Sequence, residues 1–92
     1  MDLLRAHEPE LREAGIQHLS LFGSVARGAA NADSDVDLAA ELRPDASIGL
    51  LGLAALERRL GEILGCPVDL FAEPVEKQRL RARIDRDRQR AF

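Results

Sequence analysis

Residues 23–38 read GSVARGAANADSDVDL, and the meaning of this stretch governs the meaning of the rest of the chain. Gly23 lets the backbone come close to a ligand with no side chain in the way. Ser24 offers a hydroxyl and an N–H where a helix can begin, and the two together suit a phosphate. Asp35 and Asp37 follow across a segment of small residues. If Asp35-Val36-Asp37-Leu38 is extended, side chains alternate, so both carboxylates share one face while Val36 and Leu38 point into a core. That spacing sets two negative charges roughly 7 Å apart, and a bound divalent cation is the usual way to offset their repulsion. The stretch points to metal plus phosphate.

Working outward, Ile16, Leu19, Leu21 and Phe22 run directly into Gly23, which reads as a buried strand over 16–22 that delivers the turn to one end of a sheet. Ser24 to Ala30 reads as one or two helical turns, and Asn31-Ala32-Asp33-Ser34 is turn chemistry. Residues 35–42 then alternate Val36, Leu38, Ala40 and Leu42 inward against Asp35, Asp37, Ala39 and Glu41 outward. Upstream, Leu3, Leu4, His7, Leu11 and Ala14 have helical spacing and Gly15 is a stop signal, with Pro9 either kinking this helix or starting its second half. Downstream, Ser47 is the expected N-cap of a helix over 48–64 whose apolar face includes Leu50, Leu53, Leu56 and Leu60 and whose wet face carries Glu57, Arg58, Arg59 and Glu62. Gly65 fits its C-terminal stop. Cys66 to Phe71 returns to strand, with Asp69 on the opposite side from Val68 and Leu70, so a third carboxylate appears at strand spacing. Residues 74–92 read as a terminal helix with Leu80 and Ile84 four apart and charge pairs Arg81–Asp85 and Arg83–Asp87. The order predicts an α/β (α+β) domain with a small mixed sheet of about three strands flanked by helices.

Composition narrows the classes. Ninety-two residues support a single domain, expected over 1–92, with one modest core and no separate acceptor-holding module. A 46% hydrophobic, 32% charged chain is ordinary for a folded protein rather than a disordered one. Phe22, Phe71 and Phe92 are the aromatic residues, too few for the stacking platforms of single-strand nucleic-acid binders, so direct nucleic-acid binding is not expected. With no Tyr, the chain has none on which to modify itself. Residues 77–92 hold seven of the 13 Lys and Arg but two of the 16 Asp and Glu, which makes an acidic body with a basic end. Cys66 is alone, reads as a buried small hydrophobe and implies a reducing compartment. No signal-like N-terminus or long apolar run occurs, so a cytoplasmic, membrane-free protein is expected. His7 and His18 lack a second ligating or nucleophilic neighbour in sequence and read as structural or solvent-facing.

Two familiar motifs fail on single residues. Gly23 and Gly28 have phosphate-loop spacing, yet Ala29 and Ala30 stand where that motif needs Lys and Ser or Thr. Asp33, Asp35 and Asp37 alternate as in a calcium loop, yet Leu38 replaces its glycine and Pro44 its bidentate glutamate.

Gly23-Ser24, ten intervening residues and Asp35-Val36-Asp37 resemble the GS-x10-DxD signature of the polymerase-beta-like nucleotidyltransferases. The embedded GSVARG and SDVDL resemble the minimal nucleotidyltransferase (MNT) branch, and Val68-Asp69-Leu70-Phe71 falls where that family places its third acid. The resemblance covers nearly the whole chain; the terminal DRDRQRAF is less typical, and no role is carried onto it. It implies that Asp35 and Asp37 hold one or two Mg²⁺ ions bridging to a triphosphate and that Gly23 and Ser24 bind its β- and γ-phosphates. Asp69 would complete the second metal site and activate the acceptor hydroxyl. Arg27 either clamps a phosphate or pins its own turn. Oxygen ligands and phosphates suit Mg²⁺, and an in-line displacement at phosphorus gains from stabilising both the attacking and the leaving oxygens.

Members of this branch resemble antitoxins paired with HEPN-domain ribonuclease toxins, which implies ATP as substrate and AMP transfer to a Tyr of a partner toxin. The alternatives are a binding-only antitoxin that blocks its partner sterically through the basic end, and a nucleotidyltransferase subunit acting on a small molecule or an RNA.

Overall fold

The computed structural model describes residues 2–23 and 35–92. Among these, the elements are α1 (Asp2–Ala6), α2 (Glu8–Glu13), β1 (Ile16–Phe22), β2 (Val36–Leu42), α3 (Leu50–Leu64), β3 (Val68–Glu73), α4 (Gln78–Asp87) and β4 (Gln89–Arg90). The strands form one mixed sheet in the order β3-β2-β1-β4, with β1 antiparallel to β2 and to β4, and β2 parallel to β3. The predicted mixed α/β sheet is therefore present, with one short strand more than expected. β4 was hidden because Gln89-Arg90 is polar and exposed; it is held by backbone bonds that Leu19 exchanges with Ala91 and Phe92.

The first helix divides at His7, and Pro9 sits in the first turn of α2, where its missing N–H costs nothing. His7 is tied to its own helix, Nδ1 lying 2.9 Å from the Leu3 carbonyl oxygen. α3 starts at Leu50 with Gly49 at its N-cap and no side-chain cap, so Ser47 does not cap it. Its first turn overshoots the sheet, leaving Leu50 and Leu51 84% and 87% exposed, whereas Leu56 and Leu60 are buried. Glu57, expected on the wet face, instead accepts a hydrogen bond from the Leu70 N–H at 2.9 Å, satisfying a donor on the outer edge of β3. Cys66 is half-buried at the margin of the main core, less enclosed than expected.

Alternation along the strands builds two cores. Leu19 and Leu21, Val36, Leu38 and Ala40, and Val68 and Leu70 face α1, α2 and α3, where Leu4, Leu11, Leu56 and Leu60 close the main core. Phe22, Ala39 and Ile84 form a second, smaller core under α4, joined by Phe71, Val75 and Leu80. The strand face expected to point outward is thus half covered: Ala39 is 1% exposed. The carboxylates collect at the sheet end where β1 exits and β2 and β3 begin.

Candidate functional site

Asp37 is the second residue of β2 and Asp69 the second of β3. Parallel pairing sets the two directly opposite each other, and on the other side of β2 Asp37 faces Phe22, the last residue of β1. Since adjacent strands lie roughly 4.8 Å apart, the two carboxylates emerge side by side on the α4 face. Asp35 precedes β2 rather than opening it and is exposed, as is Asp69, while Asp37 is half-buried. The sequence emphasised the pair Asp35 and Asp37, but the cross-strand pair is the more tightly coupled. Burial, and next the charge of Asp69, push the Asp37 carboxyl above its ordinary value; Arg83 opposes this, and Asp35 adds a smaller push upward.

Gly23 lies against the half-buried carboxylate of Asp37. It follows β1 with φ of 79°, and a Cβ added there would stand 2.5 Å from the Asp37 Oδ2. Gly23 and Asp37 are therefore packed on one another, so the glycine admits the carboxylate as well as the turn. Of the six residues singled out in the sequence, the described structure brings together Gly23, Asp37 and Asp69, with Asp35 within electrostatic reach. Ser24, Arg27 and the predicted short helix and turn over 24–34 lie outside the described residues.

One participant was missed. Arg83 on α4 reaches across the second core: its Nη2 lies 3.9 Å from the Asp37 Oδ2, and its guanidinium carbon lies 5.9 Å from the centre of the Phe22 ring. The expected pairing of Arg83 with Asp87 does not occur; Asp87 binds Arg86, and Asp85 approaches Arg88 at 3.9 Å. A signal was available, since Leu80, Arg83, Ile84 and Asp87 fall at i, i+3, i+4 and i+7 and so share the face turned toward the sheet.

Asp37 and Asp69 supply adjacent, all-oxygen donors, the chemistry that suits Mg²⁺. Among the described residues no group of three carboxylate, imidazole or thiolate side chains is already gathered around a point where a metal would sit. The donor set fits the ion, then, but the cage is not closed by these side chains alone.

The profile of the nucleotidyltransferase domain family matches residues 4–91, nearly the whole chain. The chain belongs to the nucleotidyltransferase domain family. The match runs through residue 91, so it takes in nearly all of the terminal DRDRQRAF that looked less typical. The protein adenylyltransferase MntA of Thermococcus cleftensis is 44% identical over 69 residues, which span 74% of this chain and 68% of that one. A solved toxin–antitoxin structure with AMP-PNP superposes with a TM-score of 0.80 at 20% identity, covering 100% of this chain and 73% of that one. A complex of a tri-AMPylated Shewanella oneidensis HEPN toxin with an MNT antitoxin gives a TM-score of 0.68 at 19% identity, covering 100% and 72%. At those identities the two solved structures establish the shared fold. Membership of the family makes the chain a nucleotidyltransferase. Among the described residues no helix is long and apolar enough to cross a membrane.

Proposed function

We propose that residues 1–92 form a single minimal nucleotidyltransferase domain that transfers AMP from ATP, with Mg²⁺, to a Tyr of a HEPN-type partner toxin and so acts as an antitoxin. The observation that carries this reading is the parallel register that sets Asp37 beside Asp69, with Gly23 packed against Asp37, in a chain 44% identical over its matched length to a protein adenylyltransferase. The partner is suggested by the resemblance to MNT antitoxins and by the fold shared with one solved on an AMPylated HEPN toxin.

In this reading Asp35, Asp37 and Asp69 hold the metal, and Mg²⁺ held there, as one or two ions, supplies charge stabilisation at the attacking and leaving oxygens. Gly23 leaves room for the polyphosphate, Ser24 donates to it, and Arg27 adds a cationic contact. Asp69, exposed near the start of an edge strand, would accept the proton of the acceptor hydroxyl. The acceptor oxygen bonds to the α-phosphorus, its bond to the pyrophosphate oxygen breaks, and pyrophosphate departs. The end of the sheet is open to solvent around Asp35 and Asp69, which suits an acceptor carried on another macromolecule. A cytoplasmic setting suits both a lone, unpaired Cys66 and an ATP-dependent reaction.

The test is to incubate the protein with labelled ATP, Mg²⁺ and the protein encoded by its genomic neighbour. Label should enter the neighbour on Tyr, and the double substitution Asp35→Ala plus Asp37→Ala should abolish it. Labelling that persists in the double variant contradicts the reading, and neutralisation of the neighbour without ATP would favour the steric alternative.

A further inference from the structure

The cation beside the carboxylates is part of the protein. Among the described residues the Arg83 guanidinium approaches Asp37 at 3.9 Å and lies over the Phe22 ring. The first is too long for a hydrogen bond, so the attraction is ionic and leaves the guanidinium's donors uncommitted. The Phe22 ring is completely buried and fixed in the second core, whereas the Arg83 side chain is 50% exposed. The charged head therefore rests against a rigid ring beside Asp37, on a stem that is half exposed.

Asp37 has Asp69 directly opposite and Asp35 two residues away, and among the described residues Arg83 is the basic group beside it. A divalent cation at Asp37 would compete with that guanidinium for the same carboxylate and repel it. The polyphosphate that accompanies the metal brings more negative charge to the same mouth, and the planar guanidinium fork matches phosphate oxygens well. Resting on the nucleotidyl-transfer reading above, we propose that Arg83 is the resident counter-ion of the Asp37–Asp69 pair and passes to the nucleotide's polyphosphate when metal takes the carboxylates. Arg83 is thus a positioning residue for the empty site and a binding residue for the loaded one.

This double role predicts effects of opposite sign, which a merely structural arginine does not give. The full chain, stripped of metal, is titrated with Mn²⁺ alone and then, at saturating Mn²⁺, with AMP-PNP, for the wild type, Arg83→Gln, Arg83→Lys and Asp37→Asn. Arg83→Gln should bind Mn²⁺ alone about threefold tighter, the scale of one part-exposed ion pair removed. It should bind AMP-PNP about tenfold more weakly, the scale of a lost charge-assisted contact. Arg83→Lys keeps the charge, so it should match the wild type for Mn²⁺ and recover part of the AMP-PNP affinity. If Arg83→Gln leaves either affinity unchanged, or moves both in the same direction, the proposal is overturned. A wild type that binds no Mn²⁺–AMP-PNP, or an Asp37→Asn variant that binds both as well as the wild type, overturns the nucleotidyl-transfer reading and this inference with it. Wild-type binding that Arg83→Gln does not alter overturns the inference alone.

Discussion

Gly23→Ala separates the cost of a turn from the cost of a misplaced carboxylate. At φ of 79° the new side chain meets the left-handed penalty, about 1–2 kcal/mol. Its Cβ would also stand 2.5 Å from the Asp37 Oδ2, whereas ordinary contact begins at 3.4 Å, so the carboxylate must retreat by about 1 Å or leave its rotamer. Asp37 is the end of a short side chain and can move, so the fold should survive. A displacement of about 1 Å at a catalytic group is worth roughly 100-fold in rate. Gly65→Ala is the matched control: φ is 70° there, but nothing lies within 4 Å of the added Cβ. Denaturant melts should place both variants about 1–2 kcal/mol below the wild type. In the AMP-transfer assay Gly23→Ala alone should lose about 100-fold in kcat/KM. Activity of Gly23→Ala within a few-fold of the wild type, or an equal loss in Gly65→Ala, would refute the argument that Gly23 serves Asp37.

Three further outcomes follow from the same geometry. Asp37 has a raised folded-state pKa, so the stability it contributes is fully present below the unfolded aspartate value and is lost as pH rises through the folded one. In metal-free buffer Asp37→Asn should therefore melt above the wild type at neutral pH, with the gap closing as pH falls past the ordinary aspartate range; a gap that widens toward acid contradicts this. Leu60→Ala empties a site that is 0% exposed in the main core and should cost about 2–5 kcal/mol by denaturant titration. Glu57→Ala strips the acceptor from the Leu70 N–H and should cost about 1 kcal/mol and expose the edge of β3 to self-association, read by light scattering, whereas Glu57→Gln should retain most of the stability.

Local chemistry made much of this protein legible. The apolar run ending at Gly23 marked β1 to the residue, Gly65 marked the end of α3, and the alternation around Asp37 and Asp69 put each carboxylate on the correct side of its strand. What stayed hidden was set by pairing between distant segments. The register that opposes Asp37 to Asp69 depends on how α3 returns the chain, and the irregularity between Ile16 and His18 in β1 leaves no mark in composition. Ala39 looked solvent-facing because alternation does not reveal that α4 covers a second face. Gln89-Arg90 became a strand because Leu21 and Ser20 of β1 pair with it, not from any propensity of its own. Arg83 escaped for a related reason: read along its helix it has an acid four residues on, and only the packing of Ile84 against Phe22 turns it toward Asp37 instead.

On the function proposed above, three carboxylates at one end of this sheet hold the metal on which nucleotidyl transfer depends. Diffraction from crystals grown with Mn²⁺ and AMP-PNP tests it directly, because manganese gives an anomalous signal that protein atoms do not. The expected result is a manganese peak bonded to carboxylate oxygens of Asp35 and Asp37, within reach of Asp69 and bridging to the triphosphate. Manganese or nucleotide bound elsewhere, with Asp37 still paired to Arg83, would contradict it.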